Sequence, residues 1–508
     1  MTLAGTQPPT RRSLRAETGA VAVEETEDPL TAAETAPLVG DPGPDQGKPG
    51  KPGKEPRRPV KDPRVALTWI DEETVAQTAL APRDLTAAAT PYVGVDVDLL
   101  AKAPRRSPFR AGVLVPIAII AALIGGYSGT TLLWPLHAVA PEIEAMQVDS
   151  APAPAAAVAW PGQGSGAVAV AGFDGTMAST QDAAPIASIT KVVTALLVLE
   201  EQPLAVGEQG PDYHFSWSDS SSYWGYRWRG ESALDVPVGG TLTEYQLLEG
   251  MLIGSANNYA DRLARDLWPS DAVYASAANE WLQAHGVPGI TIVEPTGFDA
   301  GNTASAASLI PLAKKALANP VIAEIVAKKE VDLPGAGHVT NTNGLLADAG
   351  VIGVKTGSLD DFNLLAAKDI TVGETPVRLY AAVLGQPDDP TRVEATRQLF
   401  AQLEQDLQTE PSVPAGTTVG VVDTAWGEHA EVRTDADASV VLWNGLAGEV
   451  ATDLSLGDDR DAGDTVGTLS VTGPLNAQTV DVSLASDIEP PSAWWRLTHP
   501  LELFGLAG

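Results

Sequence analysis

Ser188 and Lys191, in the stretch Pro185-Ile186-Ala187-Ser188-Ile189-Thr190-Lys191, place a hydroxyl and an amine three residues apart. On a helix that spacing sets both groups on one face, and an amine within reach of a hydroxyl is a general base beside a nucleophile. Apolar residues at Ile189, Val192, Val193, Leu196 and Leu197 follow the helical period, and Ala195, Val198 and Leu199 make the other faces apolar too. The pattern predicts a buried helix with Ser188 at its start. Burial disfavours the ammonium form and lowers the lysine pKa, so Lys191 would be a neutral amine able to take the serine proton. By composition, a chain of this length holds on the order of one or two Ser-x-x-Lys matches by chance. Taken alone, this match is better read as a helix start with a solvated lysine.

Two later stretches change that balance. Thr243-Glu244-Tyr245-Gln246 is a capping box that opens a helix running through Ile253 to Gly254, and a second helix follows Asn258. The turn between them is Ser255-Ala256-Asn257, which offers a hydroxyl and an amide. Further on, Gly350 to Ser358 predicts a buried strand that carries Lys355-Thr356-Gly357. A nucleophile with its base, a second hydroxyl, an amide and a second cation form a set suited to acyl transfer at a carbonyl. Here Lys355 would add positive charge that both lowers the Lys191 pKa and attracts an anionic group, Thr356 a hydroxyl for a carboxylate, and Gly357 room for an extended peptide to pair with the strand edge.

The elements that must position these groups sit in a chain of uneven composition. Of 508 residues, the first 110 hold 15 Lys and Arg against 16 Asp and Glu, are rich in Pro, Thr and Ala, and lack sustained periodicity. Residues 111–508 carry 17 basic and 49 acidic groups, so nearly all of the net charge of −33 lies there. So acidic a surface argues against nucleic acid as a partner and leaves any anionic substrate in need of a local basic pocket. There is no cysteine, hence no disulfide and no thiolate metal site. The six histidines are widely separated and show no metal-ligand spacing, so no metal and no cofactor is expected.

Along the chain, residues 1–110 read as a disordered tail. Ala111 to Trp134 has no charged residue and is long enough to span a bilayer. Arg105, Arg106 and Arg110 precede it, so the positive-inside rule puts the tail in the cytoplasm and the rest outside. Residues 135–158 read as an Ala/Pro linker. Residues 159–410 form the main domain, in which the aromatic, Ser-rich stretch Tyr213 to Trp228 has no clear period and suggests a loop-rich subdomain. Residues 391–408 look like its closing helix. From 411 to 508 the texture changes to short alternating runs at Val419–Val421, Val440–Trp443, Thr468–Val471 and Val480–Leu484, the pattern of a small β domain. The Trp494-Trp495-Arg496-Leu497 segment at the end is suited either to a membrane surface or to covering that domain.

Ser188-x-x-Lys191, Ser255-Ala256-Asn257 and Lys355-Thr356-Gly357, in this order, resemble the three motifs of penicillin-binding proteins and class A β-lactamases. The likeness is closest to the low-molecular-weight D-alanyl-D-alanine carboxypeptidases, serine peptidase family S11, over about residues 160 to 508. Supporting stretches are Leu247 to Asp261, Glu294-Pro295-Thr296-Gly297-Phe298-Asp299, Asn341 to Leu346, Val377 to Gly385 and, in the β domain, Gly463 to Leu469. Departures are Ala256 where many members have Gly, the aromatic stretch before Thr243, and the N-terminal extension. The resemblance implies an α/β fold: a serine β-lactamase / D,D-peptidase-like domain with an antiparallel sheet and helices, followed by a small all-β domain, behind one transmembrane helix.

It also implies roles. Ser188 would attack the carbonyl between two D-alanines of a peptidoglycan stem peptide, and the backbone N–H groups of Ser188 and Ser358 would form the oxyanion hole. Ser255 would relay a proton to the leaving amine, Asn257 would bond the substrate amide, and β-lactams would acylate Ser188 as inhibitors. Arg392, in Gly385 to Glu394, stands where the family's carboxylate-binding arginine falls; its other reading is a surface arginine at a helix start. Two rivals remain at this point: a serine β-lactamase, against which the β domain and the context of Glu294 count, and a non-catalytic peptidoglycan-binding module.

The basic cluster before the apolar run generates a topology test. Protease added to intact cells is expected to remove the globular part and spare the first 110 residues; digestion of the tail instead would reverse the orientation.

Overall fold

The computed structural model describes residues 110–407 and 410–507. The expected disordered tail lies outside the described residues except for Arg110. Ala111–Leu133 form helix α1, whose 23 residues rise about 34 Å at 1.5 Å each. Its apolar side chains, Val113, Ile117, Ile120 and Leu123 among them, lie exposed along its length. It is the one helix among the described residues long and apolar enough to cross a membrane.

The stretch expected as linker does more than connect. Glu142–Ala145 form strand β1 and pair antiparallel with residues 420–423, far along the chain.

The main domain is built on an antiparallel sheet. Ser165–Val170 (β2) and Met177–Ala178 (β3) come first in the chain, and Val351–Ser358 (β4), Phe362–Val372 (β5) and Thr375–Gln386 (β6) follow after the helices. The spatial order is β4-β5-β6-β2-β3. Successive side chains of a strand point to opposite faces, and both faces here are apolar. Ala167, Ala169, Leu365, Ala367, Tyr380 and Ala382 face a large core built with the helices Thr190–Glu201 (α2), Glu244–Leu252 (α4), Asn257–Leu267 (α5) and Ala306–Ala318 (α7). Val168, Val170, Leu364, Ala366, Leu379 and Ala381 face a second core closed by Leu399, Phe400 and Leu403 of helix Asp389–Asp406 (α9). Burial on both sides explains the nearly continuous apolar runs in these strands.

The aromatic stretch departs from expectation: Trp217–Trp228 is a regular helix, α3. Its start was legible after all, since the Asp219 carboxylate accepts the Ser216 N–H at 2.7 Å in a capping box. Exposed tryptophans at 217, 224 and 228 mask the usual apolar face. Asp271–Ala284 (α6) and Pro320–Ala327 (α8) complete the helices of this domain.

The small domain is a six-stranded antiparallel sheet. Thr418–Asp423 (β7), His429–Thr434 (β8), Glu449–Leu454 (β9), Thr465–Thr472 (β10) and Ala477–Leu484 (β11) join β1 in the order β1-β7-β8-β11-β10-β9. Strands β8 and β9 escape sequence reading because charged residues occupy their outward positions. Val440–Trp443, expected as a strand, has no ladder partner of its own. Instead Val441 and Trp443 plug into the second core of the main domain, where the Trp443 ring meets Phe173 edge-on at 6.1 Å.

At the end of the chain, Ala493–Thr498 (α10) packs on the exit of α1. Tyr127 donates its hydroxyl to the Leu497 carbonyl at 2.6 Å, and Arg496 donates to the orphan carbonyls of Leu132 and Trp134 at 3.3 and 2.9 Å. Pro500–Leu503 (α11) follows, and Phe504 meets Trp134 edge-on. Trp495 also touches Trp426 of the small domain, so the segment covers both.

Trp443 is a joint between the six-stranded sheet and the five-stranded one. Trp443→Ala is expected to destabilise the protein by about 3–5 kcal/mol, as large-to-small core changes do, and to uncouple the melting of the small domain. A calorimetric trace with one unshifted transition would place the joint elsewhere.

Candidate active site

Ser188 sits in a single tight turn, Ala187–Ile189, just before α2. Ala187 holds φ at +50°, an uncommon value for a residue with a Cβ. Two glycines grip this turn from outside. A Cβ at Gly297 would lie 1.9 Å from the Ala187 carbonyl oxygen, and one at Gly357 would lie 2.5 Å from that of Ile186. Neither position accepts a larger residue without moving the nucleophile.

Lys191, in the first turn of α2, is fully buried, and its Nζ donates to Ser188 Oγ at 2.9 Å and to the Thr296 carbonyl at 2.5 Å. Burial pulls its pKa down to about 7, against the opposing pull of Glu294, Asp261 and Glu231. The sequence assigned part of this lowering to Lys355. Here burial alone provides it, while carboxylates hold it from falling further.

The Thr296 carbonyl owes its place to Glu294. That carboxylate accepts the N–H groups of Thr296 at 2.7 Å and Gly297 at 2.6 Å, and the side-chain amide of Asn302 at 2.6 Å. Thr296 as a backbone acceptor has no side-chain signature, so sequence reading missed it.

The second motif lies in the turn between α4 and α5, as expected. Thr243 caps α4 through the Gln246 N–H. Ser255 adopts φ +59° and is buried, and Asn257 opens α5. The Asn257 Nδ2 donates to Glu231 Oε2 at 2.6 Å, a partner the sequence gave no hint of. The Glu231 side chain also pairs with Arg229.

The third motif occupies the end of β4. Lys355 is buried, and its pKa is held well below the usual lysine range by burial, then by Lys191 and Arg392. Its Nζ donates to the Thr356 carbonyl at 3.2 Å. Thr356 shares a 2.6 Å hydroxyl contact with Thr342. Gly357 lies against the turn that carries Ser188. The effect of Lys191 on Lys355 and the contacts of Gly357 bring the first and third motifs together; Glu231, acting on Lys191 while bonding Asn257, brings in the second.

Arg392 is no surface residue. It is buried under the end of β4, where Nη1 donates to the Gly357 carbonyl at 2.9 Å, Ser358 Oγ at 3.0 Å and the Asn363 carbonyl at 3.2 Å, and it pairs with Asp389. It stands directly behind Ser358. Among the described residues, no group of His, Asp and Glu is arranged to hold a metal ion.

Residues 176–387 match the profile of the Peptidase S11 family, D-alanyl-D-alanine carboxypeptidase. The match stops short of the small β domain. A D-alanyl-D-alanine carboxypeptidase, DacB2, of Mycobacterium tuberculosis is 34% identical over 133 residues, which is 25% of this chain and 45% of that protein. The chain thus spans less than half the length of this curated relative. Among solved structures, the Streptomyces K15 DD-transpeptidase is 21% identical with a TM-score of 0.42, over 48% of this chain and 98% of that one. A peptidoglycan synthesis regulatory factor (PBP3) of Streptococcus pneumoniae is 20% identical with a TM-score of 0.44, over 64% and 99%.

The burial of Lys191 generates a pH dependence. Only the neutral amine accepts the Ser188 proton, so acylation of Ser188 by a labelled penicillin is expected to fall about tenfold per pH unit below a midpoint near 7. A midpoint at the reference lysine value of about 10.4 would mean that the amine is solvated.

Proposed function

We propose, from the match of residues 176–387 to the D-alanyl-D-alanine carboxypeptidase family S11, that this chain is a serine D,D-carboxypeptidase, removing the terminal D-Ala from peptidoglycan stem peptides and acylated by β-lactams. The observation that carries the proposal is the buried Lys191 amine, bonded to Ser188 Oγ at 2.9 Å and assembled with both other motifs. Ser188 Oγ attacks the carbonyl between the two D-alanines as Lys191 takes its proton. The developing oxyanion is received by the backbone N–H groups of Ser188 and Ser358. Ser255 passes a proton to the departing D-Ala amine, and water then hydrolyses the acyl-enzyme. Asn257 bonds the substrate amide, while Gly357 admits the peptide as an added strand along β4. Thr356, Ser358 and Lys355 meet the terminal carboxylate, with Arg392 behind Ser358 as a fixed positive charge.

Glu294 counts against the β-lactamase reading. A deacylating base needs a free carboxylate facing a water, whereas this one is occupied by three backbone N–H groups and an amide. The proposal extends to place and organisation: a cytoplasmic tail to 110, one membrane span at 111–134, and an extracellular part made of the peptidase domain, 159–410, and the small β domain, 411–508. The short run at 135–158 joins them, and its strand β1 belongs to the small domain's sheet.

Ser188→Ala is expected to abolish both peptide cleavage and penicillin labelling, and mass mapping of the label on the wild-type chain should return the peptide that contains Ser188. Arg392→Ala should leave Ser188 and Lys191 in place but lose a charge-assisted contribution of about 1.5–3 kcal/mol, roughly 10- to 150-fold in kcat/KM. Substrates amidated at the terminal carboxylate should be affected much less. Equal slowing of acid and amide would reduce Arg392 to a support for the end of β4.

A further inference from the structure

We infer that Glu231 is a positioning residue for the proposed acyl transfer: it fixes which edge of the Asn257 amide faces the cleft. The inference rests on the activity proposed above and adds to it a residue outside the three motifs. Glu231 is 7% exposed and follows the aromatic helix α3. Its Oε2 accepts from Asn257 Nδ2 at 2.6 Å. A carboxylate only accepts hydrogen bonds, so Asn257 must turn its nitrogen toward Glu231 and its Oδ1 the other way. The flipped amide would set oxygen against oxygen beside a buried charge. An Oδ1 held in this way can accept a substrate N–H without first reorienting.

Glu231 is itself held on several sides. Its Oε1 takes the Arg229 Nε–H at 2.6 Å, and its own N–H donates to the Tyr226 carbonyl at 3.0 Å. The next residue, Ser232, accepts the Asn257 backbone N–H at 2.8 Å. One turn further along α5, the Tyr226 hydroxyl bonds the Asp261 carboxylate. The segment from Tyr226 to Ser232 is thus bonded to α5 at three points, two of them on Asn257 itself. A loop that only filled space would not need a buried carboxylate aimed at a side chain the proposed chemistry uses.

The same charge acts on the base. Glu294, Asp261 and Glu231 raise the Lys191 pKa against burial, and Lys191 in turn lowers that of the nearby Lys355. Removing the charge at 231 therefore lowers the Lys191 pKa and moves the acid limb of the rate profile to lower pH.

Two variants of the full chain separate aim from charge. Glu231→Gln keeps the size but loses the charge and the obligatory acceptor; Glu231→Asp keeps the charge but falls one methylene short. Both are expected to slow penicillin acylation and D-Ala-D-Ala cleavage by about 10- to 100-fold, the scale of a small misplacement. The acid limb should move down in pH for Glu231→Gln and stay in place for Glu231→Asp. Wild-type rates in both variants would overturn the inference. So would a rate loss in Glu231→Gln with an unmoved limb and a lowered Tm, which is what structural support alone would give. A wild-type chain inert to penicillin and to D-Ala-D-Ala peptides would instead overturn the activity itself, and this role with it.

Discussion

The site depends on a lysine amine kept away from water. Taking an ammonium out of water is expensive, and at Lys191 the protein meets that expense by letting the amine approach neutrality instead of supplying a tight counter-ion. The nearest polar partners are a hydroxyl and a carbonyl, which suit a neutral amine as donor and as acceptor. The surroundings follow from this need. Helix α2 is buried through nearly its whole length, the sheet is covered on both faces, and Glu294 spends its carboxylate holding a loop so that one carbonyl points at Nζ. Gly297 is required because that loop passes so close to Ala187.

Charge is distributed to match. The chain from residue 111 on carries 49 acidic and 17 basic groups, yet three of its basic residues, Lys191, Lys355 and Arg392, are buried around one strand end. Lys355 has no carboxylate partner among its hydrogen bonds, only the oxygens of Thr356. Positive charge there is disfavoured by burial and by the neighbouring Lys191 and Arg392. An anionic substrate group entering the cleft would supply the missing counter-charge, and the acidic exterior would discourage anions elsewhere.

What the sequence made legible was whatever depends on local spacing. Ser188 and Lys191 three apart, the capping box at Thr243, the turn at Ser255, and the apolar run of β4 all report on short stretches of chain, and each stands where the spacing put it. The parts that stayed hidden depend on distant partners. Strand β1 exists only because residues 420–423 offer it an edge, and the Ala/Pro texture around it reads as a connector. Thr296 contributes a backbone oxygen, which no side chain announces. Glu231 looks like any surface glutamate until Asn257 is folded against it. Arg392 could be placed by resemblance, but its burial beneath Gly357 could not, because the contact spans 35 residues and needs the sheet to be formed first.

The last helices of the chain pack against the C-terminal end of α1. Helix α1 leads within nine residues into β1 of the small domain, and α10 returns to bond the last carbonyls of α1 through Arg496. Arg496 is a sound choice for that position, since the four terminal carbonyls of a helix lack partners and a cation also complements the helix dipole. The small domain is therefore fixed at the exit of the apolar helix from two directions, and Trp443 ties it in turn to the sheet that carries Lys355. Between α1 and the nucleophile there is a continuous path of paired strands and packed cores. The separation of Ser188 from the end of α1 is accordingly set by packed structure, where a free linker of the same length would have left it to chain entropy.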